Sequence, residues 1–285
     1  MIPGRFEYHQ PDSLQSAVGL LSDLGDDARV IAGGHSLIPM MKLRLAMPEH
    51  LIDLRAIDTL KNITVADGTV RIGAMVTQSD LIDNAELQQA APIVRETALQ
   101  IADPQVRYVG TIGGNVANGD PGNDMPALMQ CLDASFLLHG SDGERQVSAR
   151  DFYEAAYFTA RDDLEILTEI SFAVASGGYA YEKQKRKIGD YATAAAAVLL
   201  GKGSDGSCTH ASIALTNLAD TPLYCDEASA QLVQSGVNDA SIAASVESAI
   251  GQIEPVDDNR GPAEFKKHAA KVILKRSLEL AWSRA

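Results

Sequence analysis

A stretch rich in glycine, asparagine and aspartate, residues 111–124 (TIGGNVANGDPGND), carries the clearest chemical signal in the chain. It holds four glycines, three asparagines, two aspartates and one proline in fourteen positions. These residue types tolerate left-handed backbone angles, so the composition predicts a loop rather than a helix or a strand. Amides turned outward from such a loop make a concavity that binds anions. A plain surface loop would have the same composition, and that alternative stays open.

A second Gly-Gly turn lies upstream, in residues 32–36 (AGGHS). It follows directly on the apolar residues 28–32, which are typical of a short buried strand. In both stretches the paired glycines are followed at once by a polar residue, His35 in one and Asn115 in the other. The two turns therefore suggest two backbone cradles for one phosphorylated ligand.

Neither turn matches the commoner nucleotide fingerprints. No G-x-G-x-x-G opens a predicted helix, and no G-x-x-x-x-G-K-[ST] occurs anywhere in the chain. We therefore expect no Rossmann crevice, and a P-loop is excluded.

Groups that could do chemistry on their own are missing from the sequence. The six histidines are scattered, with no H-E-x-x-H spacing, and no G-x-S-x-G supports a serine nucleophile. The three cysteines include no C-x-x-C pair, so neither a zinc nor an iron–sulfur signature is present. We predict no catalytic residue and no metal site; redox chemistry here would belong to a bound cofactor.

The two glycine stretches resemble the paired FAD loops of the molybdenum hydroxylase flavoproteins, in residues 32–39 (AGGHSLIP) and 111–118 (TIGGNVAN). The likeness covers nearly the whole chain. The further matching stretches are residues 40–45 (MMKLRL), 51–53 (LID), 181–191 (YEKQKRKIGDY) and 211–217 (ASIALTN). The glycine loops are specific to the superfamily, and the other stretches are similar to its carbon monoxide branch.

This resemblance implies FAD as the cofactor, bound non-covalently, with the loop amides holding its pyrophosphate and ribityl region. The residues that match family binding positions are Ala32, Gly33, Gly34, His35, Ser36, Thr111, Ile112, Gly113, Gly114, Asn115, Asp124, Leu167, Lys185 and Tyr191.

Four of these side chains have expected individual roles. By resemblance, Asp124 meets the ribityl hydroxyls, Leu167 packs on the flavin ring, and Lys185 and Tyr191 lie near the isoalloxazine. Each also has an ordinary structural alternative. Asp124 is well placed to cap a helix, Leu167 fits a core strand, Lys185 fits a solvated charge run and Tyr191 fits a half-buried strand.

In the family that this sequence resembles, the redox cofactors are carried by separate chains. The resemblance implies a large partner with a molybdenum cofactor, a small partner with two [2Fe–2S] clusters, and an assembly that is a dimer of heterotrimers. Electrons would reach FAD on the present chain and leave to a quinone or another external acceptor. No residue here distinguishes carbon monoxide from a heteroaromatic, aldehyde or acyl-CoA substrate.

Two other hypotheses remain open. In some stand-alone flavin oxidases a histidine in a similar Gly-Gly-His loop is bonded to the flavin, and His35 occupies that place. Alternatively, the chain is a colourless scaffold whose glycine loops are only turns.

The element pattern predicts an α+β protein. A two-lobed FAD-binding domain of the vanillyl-alcohol-oxidase type is expected over residues 1–176, with lobes of about 1–55 and 56–176. A C-terminal domain with a small antiparallel sheet and helices is expected over residues 177–285. Within these, Asp67-Gly68 predicts a hairpin, residues 77–87 a single helix, and residues 194–197 either strand or helix.

The net charge of -14 argues against nucleic-acid binding, where a basic face is expected. The sequence begins without an apolar signal core and carries no apolar run long enough to span a membrane. These features predict a cytoplasmic protein, and the resemblance allows attachment to the inner face of the cell membrane through partners.

Overall fold

A computed structural model describes residues 2–285. A three-stranded parallel sheet of order β1-β3-β2 forms the first lobe. Its elements are β1 (Glu7–His9), α1 (Leu14–Leu24), β2 (Ala28–Ile31), α2 (Leu37–Lys42) and β3 (His50–Asp53). Ser13 caps α1 through its hydroxyl, and the buried face of that helix packs on Ile52 of the central strand. Strand β1 was not predicted, because three residues are too few for a periodicity.

The second lobe is a five-stranded antiparallel sheet of order β4-β5-β10-β6-β7, with a separate two-stranded hairpin and six helices. Its strands are β4 (Ile63–Ala66), β5 (Thr69–Gly73), β6 (Ser135–Gly140), β7 (Gly143–Ser148), β8 (Tyr153–Ala155), β9 (Phe158–Thr159) and β10 (Ile166–Ala173). Its helices are α3 (Gln78–Asp83), α4 (Ala85–Ala90), α5 (Pro92–Ala98), α6 (Pro104–Arg107), α7 (Ile112–Ala117) and α8 (Asp124–Cys131). The predicted hairpin turn is confirmed: Asp67 and Gly68 both have positive φ, of 51° and 73°.

The C-terminal part is a four-stranded antiparallel sheet followed by three helices. It comprises β11 (Gly178–Gln184), β12 (Ala194–Lys202), β13 (Cys208–Thr216), β14 (Leu223–Tyr224), α9 (Asp226–Ser235), α10 (Asp239–Ile250) and α11 (Ala263–Arg284). The predicted α+β class is therefore confirmed. None of the helices in residues 2–285 combines the length and apolarity that crossing a membrane requires.

Strand β12 contributes side chains to two hydrophobic cores and so joins the C-terminal part to the second lobe. Its alternate residues Ala195, Ala197 and Leu199 belong to the core of the second lobe. The residues between them, with Val198 at the centre, belong to the core under the C-terminal helices. A strand covered on both faces is apolar at every position, so the run of alanines was also compatible with a helix.

Three local predictions were wrong. Residues 77–87 form two helices, because the side chain of Asn84 accepts a hydrogen bond from the Leu87 amide at 2.8 Å and starts a new helix. The expected loop contains helix α7, capped by the Thr111 hydroxyl. Asn123, not Asp124, is the N-cap of α8.

Candidate functional site

The two glycine stretches close over one cavity of about 540 Å³ between the lobes. The first stretch lies where β2 ends, and the second contains the whole of α7 and ends at the first residue of α8. The predicted site residues that line this cavity are Ala32, Gly33, Gly34, His35, Ser36, Thr111, Gly113, Gly114, Asn115, Asp124, Leu167 and Tyr191. A cavity of this volume is typical of cofactor sites.

Two predicted site residues do not line the cavity. Ile112 is fully buried in the core of the second lobe. The Lys185 ammonium donates to the side-chain oxygen of Gln100, and burial together with the nearby Lys183 lowers the pKa of Lys185. Their predicted contacts with the cofactor stay predictions.

The first loop offers unsatisfied backbone donors. Within residues 2–285, the amides of Gly33, Gly34, His35 and Ser36 donate to no protein acceptor. Gly34 has a φ of 71°, a conformation that glycine adopts without strain. Four successive free amides in a loop that lines the cavity are what an anion cradle requires, and their contact with the cofactor stays a prediction.

The second stretch differs from the prediction. The amide of Ile112 donates to the Val76 carbonyl, that of Gly113 to the Ala74 carbonyl, and that of Gly114 to the Thr111 hydroxyl. Its amides are therefore already paired, and the prediction that they turn outward was wrong. These tertiary and capping bonds also explain why a glycine-rich segment forms a helical turn despite its low helix propensity.

The paired glycines of this stretch shape the site because they have no side chains. A Cβ added at Gly113 would lie 2.5 Å from the Ala74 Cβ, so that glycine is required for packing. A Cβ added at Gly114 would meet only the Thr111 hydroxyl at 3.0 Å and the Ala32 Cβ at 3.6 Å. Gly114 therefore keeps open the space between the two loops.

Gln78 is a cavity residue that the sequence reasoning missed. Its side chain is 1% exposed, and neither its Oε1 nor its Nε2 has a hydrogen-bond partner among residues 2–285. A buried amide without partners is costly, so its position beside the cavity indicates a polar ligand there. No sequence signal distinguishes it from an ordinary residue in the first turn of a helix.

Asp124 is held by the C-terminal sheet. Its Oδ2 accepts from Lys183 Nζ at 2.7 Å, and its Oδ1 accepts from the Tyr181 hydroxyl. Burial raises the pKa of the Asp124 carboxyl, while the Lys183 ammonium and the Tyr181 hydroxyl oppose that rise. The side chain of Lys183 is only 1% exposed, although Lys183 belongs to the same charged stretch of the sequence as Lys185. Lys183 lies two residues after Tyr181 on β11, so both side chains are on the same face of the strand. This spacing was the sequence signal that Lys183 is buried.

Charged residues line another part of the cavity, including Arg29, Arg161 and Glu165. Burial lowers the pKa of Arg161, whose guanidinium donates to the Glu165 carbonyl at 2.9 Å. The Glu165 carboxylate in turn accepts two hydrogen bonds from Arg145, at 2.6 and 2.7 Å, and these lower the pKa of Glu165. Sequence reasoning missed these residues because their partners lie on separate strands and loops.

Tyr191 closes the cavity from the C-terminal side. It is 42% exposed, and the Arg260 guanidinium lies 5.0 Å from the centre of its ring. Burial raises the pKa of Tyr191, and the nearby Asp120 adds to that rise. An aromatic ring at the mouth of a cleft can cover a planar ligand.

Two family models match the chain. The FAD binding domain in molybdopterin dehydrogenase matches residues 4–173, and the CO dehydrogenase flavoprotein C-terminal domain matches residues 179–281. The fold and the cavity thus define a flavoprotein that binds FAD. The chain belongs to the flavoprotein family of the molybdopterin dehydrogenases, as the sequence resemblance indicated.

Known proteins are similar over the whole chain. The carbon monoxide dehydrogenase medium chain of Afipia carboxidovorans is 56% identical, covering 100% of this chain and 99% of the relative. That of Hydrogenophaga pseudoflava is 47% identical, with the same coverages. A solved structure of reconstituted CO dehydrogenase from Oligotropha carboxidovorans matches with a TM-score of 0.98 at 56% identity, covering 100% of both chains.

Proposed function

We propose that this chain is the FAD-carrying medium subunit of an aerobic carbon monoxide dehydrogenase. The observation that carries the proposal is the single cavity formed by both predicted glycine stretches, in a chain that is 56% identical over its full length to such a subunit. A relative whose name gives a different substrate is less similar in sequence: the subunit alpha of the 6-hydroxypseudooxynicotine dehydrogenase complex of Paenarthrobacter nicotinovorans is 32% identical.

The residues around the cavity fit this cofactor. The free amides of residues 33–36 suit the pyrophosphate, and the unpartnered Gln78 amide can both donate to and accept from a polar edge. The proposal includes contacts of Asp124 with the ribityl chain and of Tyr191 with the isoalloxazine, and both residues line the cavity. Bound FAD supplies one- and two-electron exchange, and the chain supplies position and shielding from water.

The proposal includes the partners. A large chain with a molybdenum cofactor oxidises the substrate, and a small chain with two [2Fe–2S] clusters delivers electrons to this one. The complex is a dimer of heterotrimers and passes electrons to a quinone or another acceptor. It resides in the cytoplasm, at the inner face of the membrane when its partners attach there. We also keep the boundary between residues 176 and 177 as part of the proposal.

Purification of the native complex through a tag on this chain tests the proposal. We expect a large and a small chain to copurify, with one FAD, one molybdenum and four irons per heterotrimer, and carbon monoxide to reduce a quinone analogue. A complex that oxidises a heteroaromatic, an aldehyde or an acyl-CoA but not carbon monoxide would place the chain in a related hydroxylase.

Acid precipitation of the same preparation tests the bond to the flavin. The yellow colour is expected in the supernatant, because the proposed binding is non-covalent. Flavin that stays in the pellet, attached to a peptide containing His35, would support the stand-alone oxidase instead. A colourless preparation would contradict both and leave the scaffold hypothesis.

A further inference from the structure

Three potential metal ligands converge on the first lobe, away from the cofactor cavity. His9 Nε2 lies 3.1 Å from His50 Nδ1, and His50 Nδ1 lies 3.6 Å from Glu7 Oε2. The three ligand atoms all lie within 4.8 Å of one another, and no other group of this kind occurs among residues 2–285. Neither the histidine spacing nor the proposed function predicts this arrangement.

The sheet explains why these side chains meet. Strands β1 and β3 are parallel, and Glu7 lies directly opposite His50 in the register. His9 follows two residues later on β1, so its side chain lies on the same face as that of Glu7. The three side chains therefore converge because of the strand pairing itself. The imidazoles are half-buried and the carboxylate is exposed, so an ion could enter from solvent.

The distances fit a metal centre. Nitrogen and carboxylate ligands lie about 2.0–2.2 Å from Zn²⁺. Two nitrogens that are 3.1 Å apart would then subtend an angle of about 98° at the ion, between octahedral and tetrahedral values. The separation of 3.6 Å between His50 and Glu7 corresponds to about 120° in the same way. Rotation of the exposed Glu7 side chain completes the set without a change in the backbone.

We propose that Glu7, His9 and His50 form a binding site for a divalent transition cation of the Zn²⁺, Co²⁺ or Ni²⁺ class. Two imidazoles among the three ligands favour these cations over Mg²⁺ or Ca²⁺, which prefer oxygen ligands. The bound ion joins β1 to β3 and so fastens the short edge strand to the sheet whose strand β2 carries the first glycine loop. Water completes the coordination on the exposed side.

Calorimetric titration of the full chain with ZnCl₂, after chelator treatment and without a histidine tag, tests the site. We expect one equivalent to bind the wild-type chain, and His9→Gln and His50→Gln each to weaken that binding at least tenfold. The matched control is His139→Gln, because His139 Nδ1 also lies 3.1 Å from a carboxylate, Glu144, but has no second imidazole beside it. That control should bind zinc as the wild type does.

Cobalt absorption gives a second readout that does not depend on a change at a half-buried histidine. Glu7→Gln alters an exposed side chain and should leave the fold intact, yet it should shift the d–d bands of bound Co²⁺ and weaken its binding. The proposal is overturned if the wild type takes up no zinc or cobalt. It is also overturned if His139→Gln weakens binding as much as His50→Gln, or if Glu7→Gln leaves the cobalt spectrum and affinity unchanged.

Discussion

Gln78 and Gly114 differ in how their surroundings leave a place for a ligand. Gln78 presents two polar atoms that the protein itself leaves unpaired. Gly114 presents no side chain where the two loops approach each other. In both cases the role is inferred from the neighbouring atoms, because neither glutamine nor glycine indicates a binding site by its residue type alone.

Replacement of Gln78 by leucine should affect the empty protein and FAD binding in opposite directions. The variant removes two buried unpaired polar atoms, so the apoprotein should be as stable as wild type or more stable. Loss of the hydrogen bonds to FAD should weaken binding by about 1–2 kcal/mol, roughly five- to thirtyfold. Fluorescence titration with FAD and thermal unfolding of the apoprotein measure the two effects.

Thr97→Val is the matched control for Gln78→Leu. The Thr97 hydroxyl is also buried and without a partner among residues 2–285, but Thr97 does not line the cavity. Its replacement should leave FAD affinity unchanged. Equal FAD affinity in Gln78→Leu and wild type would show that Gln78 does not contact the cofactor.

Gly114→Val should abolish FAD binding while leaving the fold largely intact. The branched side chain would extend toward Ala32 and disturb the Thr111 cap, at a cost of about 1 kcal/mol to the apoprotein. The reason is space alone, since Gly114 has no positive φ, contrary to the expectation from its sequence context. FAD at about a hundred times its Kd stabilises wild type by about 2.7 kcal/mol, and this increment should be missing in the variant.

Gly113→Val gives the contrasting result. Its side chain would collide with Ala74, so the apoprotein itself should lose stability, by about 1–3 kcal/mol or more. Thermal unfolding of both variants with and without FAD distinguishes the two effects. A full FAD increment in Gly114→Val would contradict the assignment of this turn to the cofactor.

At the scale of elements, the Arg145 side chain fixes the segment between β9 and β10 to the edge strand β7, through Glu165 and through the Ala160 carbonyl. Arg145 on β7 donates two hydrogen bonds to Glu165, whose carboxylate also accepts from the Asp162 amide at 2.8 Å. Because Glu165 and Arg161 line the cavity, this pair sets one wall of the site.

The stability provided by this pair should depend on pH. Since the folded-state pKa of Glu165 is lowered, its contribution is full above the unfolded pKa of about 4.3 and disappears as the pH falls through the folded pKa. Glu165→Gln should cost about 1–2 kcal/mol at neutral pH, and the difference from wild type should vanish in acid. Urea unfolding at a series of pH values measures it.

Glu169→Gln serves as the control for this pH dependence. Glu169 also pairs with an arginine across strands, Arg71 at 2.9 Å, but through a single contact, and its side chain is 31% exposed against 13% for Glu165. Exposed pairs of this kind contribute about 0–1 kcal/mol. If Glu169→Gln and Glu165→Gln gave the same pH profile, the bidentate pair would have no special role.

At the scale of the whole molecule, the C-terminal sheet reaches the cofactor cavity through the loop between β11 and β12, which contributes Gly189, Asp190 and Tyr191 to the lining of the cavity. One of its faces belongs to the core of the second lobe, and Asp124 pairs with Lys183 at the junction. Nearby, the Tyr181 amide donates to Glu96 at 2.7 Å, and Arg284 of the last helix contacts the same carboxylate at 2.9 Å. The site and the contact between the two parts therefore share residues.

Lys183→Met should destabilise the apoprotein by about 3–5 kcal/mol, because it leaves the Asp124 carboxylate buried without its counter-ion. Asp124→Leu combined with Lys183→Met should recover much of that loss, since both charges are removed together. Calorimetry of the single and double variants without FAD measures the coupling.

The exposed pair Lys271–Glu247 is the control for the buried pair, because its nitrogen and oxygen lie at a similar distance, 2.9 Å. Lys271→Met should change stability by about 0–1 kcal/mol. A loss in Lys183→Met no greater than this control would contradict the buried-pair interpretation.

The sequence by itself determined two local features: the hairpin at Asp67 and Gly68 and the turn at Gly33 and Gly34. Both depend on backbone preferences, which act between residues close together in the chain. The family resemblance added the cofactor. Tertiary structure alone decided that α7 is a helix, that Lys183 rather than Lys185 is buried, and that Gln78 has no partner. Each of these outcomes depends on atoms supplied from distant segments, such as Val76 for α7 and Asp124 for Lys183, and no local pattern encodes such contacts.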